Sequence, residues 1–345
     1  MGEYGYITFF PDSQVLSRGY HVNGLVPPAL AEAAAPLLFP PRKRRVPLVL
    51  SPHGSASGWV VELPLTSRHL RDLPRPRLLR RIDAAARMAG ALGANLVSLG
   101  FPAELVRGSA AAVSREAGIP VITGSGYDLA VAVDAIAIAA QLAGLDVRAA
   151  RVAVIGLPCP AGEVCAHLLA RKCLRLTLNG RPGHSLSGVA ASIMESTGLS
   201  VRIIADAGRA VSESDIVLVA GASDWVYPGR LEGVSVVCDL RRSLALYFPA
   251  PAPAAPAGGR GPLVIDGGVV QTPSGTCVPS LAAAMMLAME DRNVTRLEGA
   301  EPSVAEADEM TRLASRHGFV TAGPARFGRL IGSASGGTIG IAALP

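Results

Sequence analysis

The chain has 345 residues and a formal net charge of +5 at pH 7; half of its residues are hydrophobic and 17% are charged. This length allows two domains that each bury a core, and the apolar content excludes an intrinsically disordered chain. The longest apolar stretch, Leu129–Leu145, is short and contains Asp134, and no signal-peptide pattern opens the chain. We therefore expect a cytoplasmic protein without a transmembrane segment.

All but two of the 32 basic residues are arginine. Nucleic-acid binding and a GC-rich coding bias both produce this composition, and the dispersed arginines favour the second, so we expect no specific nucleic-acid partner. The densest basic run, Arg42–Arg45, is interpreted as solvated surface that an acidic protein partner could use. The five cysteines show no metal-ligand spacing, and a metal site is not expected.

The first part of the chain alternates strand and helix patterns and predicts an N-terminal α/β domain over residues 1–130. A glycine- and serine-rich segment, Ser51–Gly58, is interpreted as a turn. Apolar runs predict strands, and helical spacing predicts two helices, in this order: strands Tyr4–Phe10 and Trp59–Leu63, helix Pro74–Leu92, strands Leu96–Leu99 and Val121–Thr123, helix Leu129–Leu145.

From Arg151 onward, strands and helices alternate regularly, which is typical of a Rossmann-type doubly wound parallel sheet over residues 131–279. A Pro/Ala/Gly-rich stretch at 249–262 is predicted to be a surface loop, and residues 332–345 a flexible tail. The strands are Val152–Ile155, Leu174–Leu178, Val201–Ile204, Ile216–Ala220, Ser235–Asp239 and Leu263–Ile265; the helices are Glu163–Lys172, Leu186–Thr197 and Ala207–Glu213.

Two C-terminal helices, within residues 280–331, are expected to pack back across the cleft. The first is predicted over Ser280–Glu290 with Ser280 as its N-cap. The second starts at Ser303, where Glu306 completes a capping box, and ends near Arg316. His317, beside Gly318, is interpreted as a cation that caps this helix end.

The first turn of the Rossmann-type pattern carries the best signal for a cofactor. A strand ends at Gly156 and a helix opens after Gly162, an arrangement that holds a pyrophosphate on a helix N-terminus. Cys159, between two prolines, occupies the position of the middle glycine, where backbone amides meet the phosphate. The turn therefore predicts a dinucleotide site with an altered centre.

Two further segments bear on this site. Asn179 and Arg181 follow the second strand, at the position where an acidic residue would select NAD. Because no acid stands there and an arginine is nearby, we expect NADPH; the alternative is that Arg181 is a solvated turn residue. Gly267 and Gly268 follow the last strand at its carboxyl edge, where they allow either close approach of a ligand or a tight turn.

The order of segments resembles the long-chain acyl-[acyl-carrier-protein] reductases of cyanobacteria and the related predicted amino-acid dehydrogenases. The matching pieces are collinear and cover most of the chain, although residues 1–50 match poorly. They are Val60–Glu62, Leu99–Phe101, Ile122–Gly124, Val152–Gly162, Asp266–Val270, Leu281–Leu287 and Arg316–Phe319.

The resemblance implies that a cysteine takes an acyl group from a carrier-protein or CoA thioester and that NADPH then reduces it to an aldehyde. Here Ser280 stands at the family's nucleophile position, and Cys277 lies three residues earlier. Three interpretations stay open. Cys277 is a shifted nucleophile, or it is an ordinary loop thiol, or the chemistry has changed and Ser280 is an N-cap or a substrate hydrogen-bond donor.

The resemblance also implies further site residues. Glu62 matches a glutamate that faces the active site, although it could equally end an edge strand. Phe101 and Ser125 are expected near the substrate, and Asp128 is a general acid/base or a helix N-terminal charge. The resulting hypothesis is an NADP-dependent oxidoreductase that reduces an acyl thioester to an aldehyde. The alternatives are a small-molecule NAD(P) dehydrogenase without covalent catalysis, and a non-catalytic binding or scaffold protein.

Overall fold

The structure is a computed structural model that describes residues 2–100, 110–221, 231–241, 261–290, 301–326 and 328–331. The chain forms two compact units. Unit 1 comprises Met1–Ser125, Ser280–Glu301 and Arg316–Gly318, and unit 2 comprises Gly126–Pro279, Pro302–Ser315 and Phe319–Pro345. Phe101, residues 249–260 of the predicted loop and the tail at 332–345 lie outside the described residues.

Unit 1 contains a five-stranded sheet with the order β2-β3-β1-β4-β5. Neighbouring strands are parallel except for β2 and β3, which form an antiparallel hairpin. Ile7, Val61 and Leu99 from the middle strands are fully buried and form part of its core. The strands are β1 Gly2–Phe10, β2 Arg42–Ser51, β3 Gly54–Thr66, β4 Leu96–Leu99 and β5 Val121–Ile122.

Helices α1 to α5 of this unit are Ser13–Gly19, Pro28–Leu38, Ser67–Asp72, Arg75–Ala91 and Ala110–Ala117. The prediction of α4 is confirmed: proline occupies its first turn, and Leu78, Ile82, Ala85 and Ala89 are buried at the spacing of one helical face. The predicted turn over Ser51–Gly58 is wrong, because only two residues separate β2 from β3.

Strand β2 was not predicted, because its first four residues are basic. Its charged side chains belong to an edge strand, where they discourage pairing with other chains. Val46 and Val49 anchor the strand in the core. The basic run, predicted as solvated surface, is therefore a partly exposed edge strand of the sheet.

Unit 2 contains the predicted parallel sheet, with the order β11-β10-β9-β6-β7-β8 and every neighbouring pair parallel. Counted from its first strand, this is the 3-2-1-4-5-6 order of a doubly wound dinucleotide-binding sheet, which confirms the predicted fold class. The strands are β6 Arg151–Leu157, β7 Arg175–Gly180, β8 Arg202–Ile203, β9 Ile216–Val219, β10 Val236–Asp239 and β11 Leu263–Ile265.

Four helices accompany this sheet: α6 Ser125–Leu142, α7 Pro160–Ala170, α8 Ser187–Thr197 and α9 Ala207–Ser212. Helix α6 starts four residues earlier than predicted. It is long and apolar enough to cross a membrane by length and composition, yet 67% of it is buried inside the protein. Burial in the core explains its apolar sequence.

A second, antiparallel sheet in unit 2 was not predicted; its strand order is β13-β12-β14-β15. The segments are short and interrupted by glycine and proline, which hides their strand character. They are β12 Gly267–Thr272, β13 Gly275–Cys277, β14 Val320–Arg326 and β15 Arg329–Leu330. Cys277 consequently lies on a strand, not in the loop that was predicted.

The two C-terminal helices are α10 Pro279–Met289 and α11 Val304–His317. Because α10 begins at Pro279, Ser280 lies inside its first turn and is not the predicted N-cap. The predicted capping box at α11 forms: the Ser303 hydroxyl accepts the Glu306 backbone N–H at 3.1 Å, and the backbone at Ser303 hydrogen-bonds to the Glu306 carboxylate. His317 ends the helix, as predicted, and is fully buried.

Candidate functional site

The turn after β6 lies where the strand order reverses, between β6 and β9. Gly156 is an extra residue in the pairing of β6 with β7, and its φ of +93° strains any residue except glycine. A Cβ on Gly156 would lie 2.7 Å from the backbone of Gly221, and a Cβ on Gly221 would lie 1.8 Å from the Gly156 carbonyl oxygen. The two strand ends therefore touch through backbone alone, at the place where open α/β sheets bind their ligands.

Helix α7 starts directly behind this contact. Gly162 is buried, and a Cβ on it would meet Leu157 at 2.7 Å and both Ala220 and the Cys159 sulfur at 3.0 Å. Cys159 is the extended N-cap residue, and its side chain makes no capping hydrogen bond. The thiol is therefore folded against Gly162 over the first turn of the helix, and the glycine permits close packing of helix and strand.

Asn179 was predicted to bind cofactor, but its side chain points into the protein. The residue is buried, and its Nδ2 donates hydrogen bonds to the carbonyl oxygens of Ile204 at 2.8 Å and Ala205 at 3.0 Å. Asn179 thus ties β7 to the end of β8 and leaves no donor for a ribose. Arg181 has an exposed side chain, and its backbone N–H donates to the Leu157 carbonyl oxygen at 2.8 Å.

The two glycines after β11, predicted to allow close approach of a ligand or a tight turn, differ in their surroundings. A Cβ on Gly268 would lie 2.9 Å from side-chain atoms of both Val131 and Ala135 on α6, so this glycine allows β12 to pack against the helix. Gly267 has a φ of +142° and no neighbour within 4 Å of a Cβ. The pair marks the change from the parallel to the antiparallel sheet, and Gly268 has no room for a ligand.

The first turn of α6 and strand β13 bring acid and thiol groups together within unit 2. Burial raises the pKa of the Tyr127 phenol well above its usual range, and the charges of Cys277, Asp134 and Asp128 raise it further. Cys277 and Asp128, which were both predicted as site residues, are thus close enough to Tyr127 for their charges to raise its pKa. Tyr127 was missed; its only signal in the sequence is its position beside Asp128.

Glu306 closes the N-terminal end of α6. Its Oε1 accepts the backbone N–H of Gly126 at 3.1 Å, so the carboxylate serves α6 as well as the start of its own helix. Burial raises the pKa of Glu306, against the lowering effect of hydrogen bonds from the backbone at Gly126 and Ser303. A glycine is needed at 126, because a Cβ there would lie 2.6 Å from the Glu306 carboxyl carbon.

The remaining candidates belong to unit 1 and have structural contacts there. The Ser280 hydroxyl lies 3.3 Å from the Tyr6 hydroxyl. The backbone carbonyl oxygen of Ser280 accepts a hydrogen bond from the Ser98 hydroxyl at 2.9 Å. Ser125 is buried and hydrogen-bonded to Thr123 at 2.9 Å. Glu62 lies on β3, which is not an edge strand, and pairs with Arg42 at 3.8 Å.

The other thiols are core residues, as predicted. Burial raises the pKa of Cys173 to about 11 and those of Cys165 and Cys238 further still. No disulfide links the five cysteines, all of which lie in the described ranges. Within those ranges, no group of three histidine, cysteine or acidic side chains is placed to hold a metal ion.

No protein-family model and no curated protein matches the chain. Solved structures of similar fold include ornithine carbamoyltransferase from Campylobacter jejuni subsp. jejuni NCTC 11168, at 12% identity over 73% of this chain and 77% of that chain, with a TM-score of 0.35. L-tryptophan dehydrogenase from Nostoc punctiforme matches at 14% identity over 69% and 62%, with a TM-score of 0.31.

A third similar structure is Delta(1)-pyrroline-2-carboxylate reductase from Thermococcus litoralis, at 16% identity over 31% of this chain and 36% of that chain, with a TM-score of 0.24. These neighbours thus include nicotinamide-dependent enzymes as well as transferases of carbamoyl groups. At such low scores and identities they carry no inference about activity, and the proposal below relies on the chain's own geometry.

Proposed function

We propose that the chain is an NAD(P)-dependent oxidoreductase whose dinucleotide lies at the carboxyl ends of β6 and β9. One observation carries the proposal: the parallel sheet has the dinucleotide-binding strand order, and its reversal point is the backbone contact between Gly156 and Gly221. The N-terminus of α7 points its amides toward this edge, which favours a phosphate group.

The residues of the turn fit a pyrophosphate through their backbone. Pro160 stands at the start of α7 and removes one donor, but the backbone N–H groups of Ala161 and Gly162 remain in the first turn. The Cys159 thiol lies against Gly162 and narrows the approach to these donors. When bound, a reduced nicotinamide supplies a hydride for transfer to the substrate.

NADPH is the cofactor we infer. No acid follows β7, and Asn179 is occupied by two backbone carbonyls, which leaves the exposed Arg181 as the group to pair with a ribose 2′-phosphate. Titration of the protein with NADPH and NADH tests this. Arg181→Ala should weaken NADPH binding roughly tenfold, the loss of a hydrogen bond to a charged group, and leave NADH unchanged.

Arg175 offers a matched control, because it is an exposed arginine at the opposite, amino end of the same strand. Arg175→Ala should leave both affinities unchanged. Equal weakening by the two substitutions would show a general charge effect and contradict the assignment of Arg181. Absence of binding by either dinucleotide would refute the oxidoreductase proposal and favour a binding or scaffold protein.

The reaction we infer is reduction of an acyl thioester to an aldehyde, with Cys277 as the acyl acceptor. The Cys277 thiolate attacks the thioester carbonyl, the bond to the carrier or CoA sulfur breaks, and that thiolate takes up the proton that Cys277 lost. A bound NADPH would supply the hydride that reduces the acyl carbon; the bond to the Cys277 sulfur would then break, with release of the aldehyde and return of the thiolate. Tyr127 stays protonated because its pKa is raised, so it is able to donate a hydrogen bond to the carbonyl oxygen.

Incubation with a long-chain acyl-CoA in the absence of NADPH tests the covalent step. Mass spectrometry should find one acyl group on Cys277, and Cys277→Ser should abolish both the adduct and aldehyde formation. Cys159→Ser is the matched control, since Cys159 is the other partly exposed cysteine, and it should keep the adduct. NADPH binding without any adduct would refute the covalent mechanism in favour of a small-molecule dehydrogenase.

A further inference from the structure

Unit 1 contains a hydrogen-bonded chain of three side chains that the proposed oxidoreductase does not use. The Ser51 hydroxyl lies 2.7 Å from Nδ1 of His317, and Nε2 of His317 lies 3.0 Å from Oε1 of Glu290. His317 is completely buried, and the Glu290 side chain is 9% exposed. Ser51, at the end of β2, is partly exposed. The solvent-facing end of the chain is therefore the hydroxyl.

The partners of the imidazole determine which of its nitrogens is basic. An ionised carboxylate only accepts hydrogen bonds, so Glu290 selects the tautomer in which Nε2 carries the proton. Nδ1 then presents its lone pair to the Ser51 hydroxyl. Arg316 balances the buried negative charge, since its Nη1 lies 3.4 Å from the same Glu290 oxygen. A second titratable group is His53, whose ring is centred 6.4 Å from that of His317.

A tight hairpin holds the serine in place. Ser51 pairs with Gly54 across the two-residue turn, and the backbone N–H of His53 donates to the Ser51 hydroxyl oxygen at 3.3 Å. This donor stabilises negative charge that develops on the oxygen. Gly54 lies against Met289, since a Cβ on it would meet the Met289 Cβ at 3.2 Å. The hairpin and α10 thus fix the hydroxyl beside its base.

We propose that Ser51, His317 and Glu290 form an esterase centre, separate from the dinucleotide turn, in which Ser51 is the nucleophile. A hydroxyl, a base within hydrogen-bonding reach and a third group that orients the base are the arrangement that activates a serine. The use of Nδ1 instead of Nε2 as the base changes which nitrogen acts but not the proton transfer.

The steps balance with water as the only co-reactant. The Ser51 oxygen attacks the ester carbonyl while its proton moves to Nδ1 of His317. The carbon–oxygen bond to the alcohol breaks, and the alcohol leaves with that proton. Water then attacks the acyl-Ser51 ester, gives a proton to Nδ1, and releases the acid as Ser51 recovers its hydrogen.

The surroundings favour a small uncharged ester of a carboxylic acid. Glu290 is the only charged member of the relay and already binds His317 and Arg316, so it is not available to a charged substrate. The hairpin also exposes apolar side chains beside His53: Pro52 occupies the turn, and Leu48 and Leu50 are 45% and 62% exposed. Short aliphatic acyl groups match such a surface.

A fluorophosphonate and p-nitrophenyl butyrate test the proposal on the full chain. The fluorophosphonate should add one phosphonyl group to Ser51, and Ser51→Ala should abolish both labelling and ester hydrolysis. Ser55→Ala, a change of a partly exposed serine on the other strand of the same hairpin, should leave both unchanged. His317→Gln should lower hydrolysis by about 100-fold or more, the usual contribution of a general base.

Glu290 is a positioning residue, and Glu290→Gln should lower kcat of ester hydrolysis and leave KM unchanged. The substitution removes the acceptor that fixes the His317 tautomer but changes no group that contacts the ester. Unlabelled wild-type Ser51 would overturn the proposal. So would an unchanged kcat in a folded Glu290→Gln variant. If Ser51→Ala lowers thermal stability while the wild type is neither labelled nor active, the three hydrogen-bonded residues only stabilise the fold, and the proposal is wrong.

Discussion

Replacement of Gly156 by alanine tests the backbone contact on which the proposed cofactor site depends. The substitution places a Cβ on a residue with φ of +93°, 2.7 Å from the N, Cα and C atoms of Gly221. Two costs follow. The left-handed backbone costs an alanine roughly 1–2 kcal/mol, and the overlap with backbone atoms, which move less easily than a side chain, adds roughly 1–3 kcal/mol.

We therefore expect Gly156→Ala to lower the free energy of unfolding by about 2–5 kcal/mol. Urea unfolding measures this as a fall in the midpoint at unchanged slope, because the surface exposed on unfolding stays the same. In the folded variant, the displaced strand ends should also weaken NADPH binding.

Gly183→Ala separates the two costs. Gly183 lies in the same unit and has a φ of +81°, but nothing lies within 4 Å of a Cβ on it. This variant should lose only the backbone cost of about 1–2 kcal/mol. A Gly156→Ala variant that is no less stable than Gly183→Ala would refute the close approach of Gly156 and Gly221, and with it the geometry assigned to the turn.

Three further results are expected. Asn179→Ala should lower the free energy of unfolding by roughly 1–3 kcal/mol, since the buried Ile204 carbonyl and the partly buried Ala205 carbonyl lose their donor, without changing the ratio of NADPH to NADH affinity; a changed ratio would contradict the inward orientation. The raised pKa of Glu306 makes the folded state bind the proton more tightly, so the free energy of unfolding falls as the pH rises from 4.5 through that pKa. Glu306→Gln should remove this pH dependence when urea unfolding is measured across that range. A pH dependence that persists in the variant would disprove the role of Glu306. Ellman's reagent at pH 8 should modify Cys159 and Cys277 before unfolding and the three buried cysteines only after it; early loss of more than two thiols would contradict their burial.

The parallel sheet was predictable because its middle strands are buried on both faces. Such strands read as continuous β-branched runs, and β6, β9 and β10 stand out for this reason. The antiparallel sheet lacked this signal. Strand β14 begins with exposed Val320 and contains Gly323 and Pro324, so its pairing with β12 depends on long-range contacts that no local pattern encodes.

The surroundings of the candidate site residues were likewise predictable where the reason is local and were missed where they depend on distant partners. Gly156 and Gly162 were found because a backbone requirement leaves a glycine in the sequence. The role of Asn179 depended on which way its side chain points, and the two carbonyls that hold it come from another segment. Glu306 was predicted as a capping-box acid for its own helix, but its carboxylate also accepts the backbone N–H of Gly126, 180 positions away. Such partners follow from the tertiary fold.

The altered turn bears on function in a way that the glycine pattern alone does not. Gly162 is required by packing, since Leu157, Ala220 and the Cys159 sulfur all lie within 3.0 Å of a Cβ on it, and Gly156 is required by its contact with Gly221. Both glycines would therefore be kept whether or not a dinucleotide binds. The middle position is different, because a glycine there serves only the close approach of phosphate to backbone. Its replacement by Cys159 bears directly on binding, and Cys159→Gly should strengthen NADPH binding if the thiol is what restricts the site.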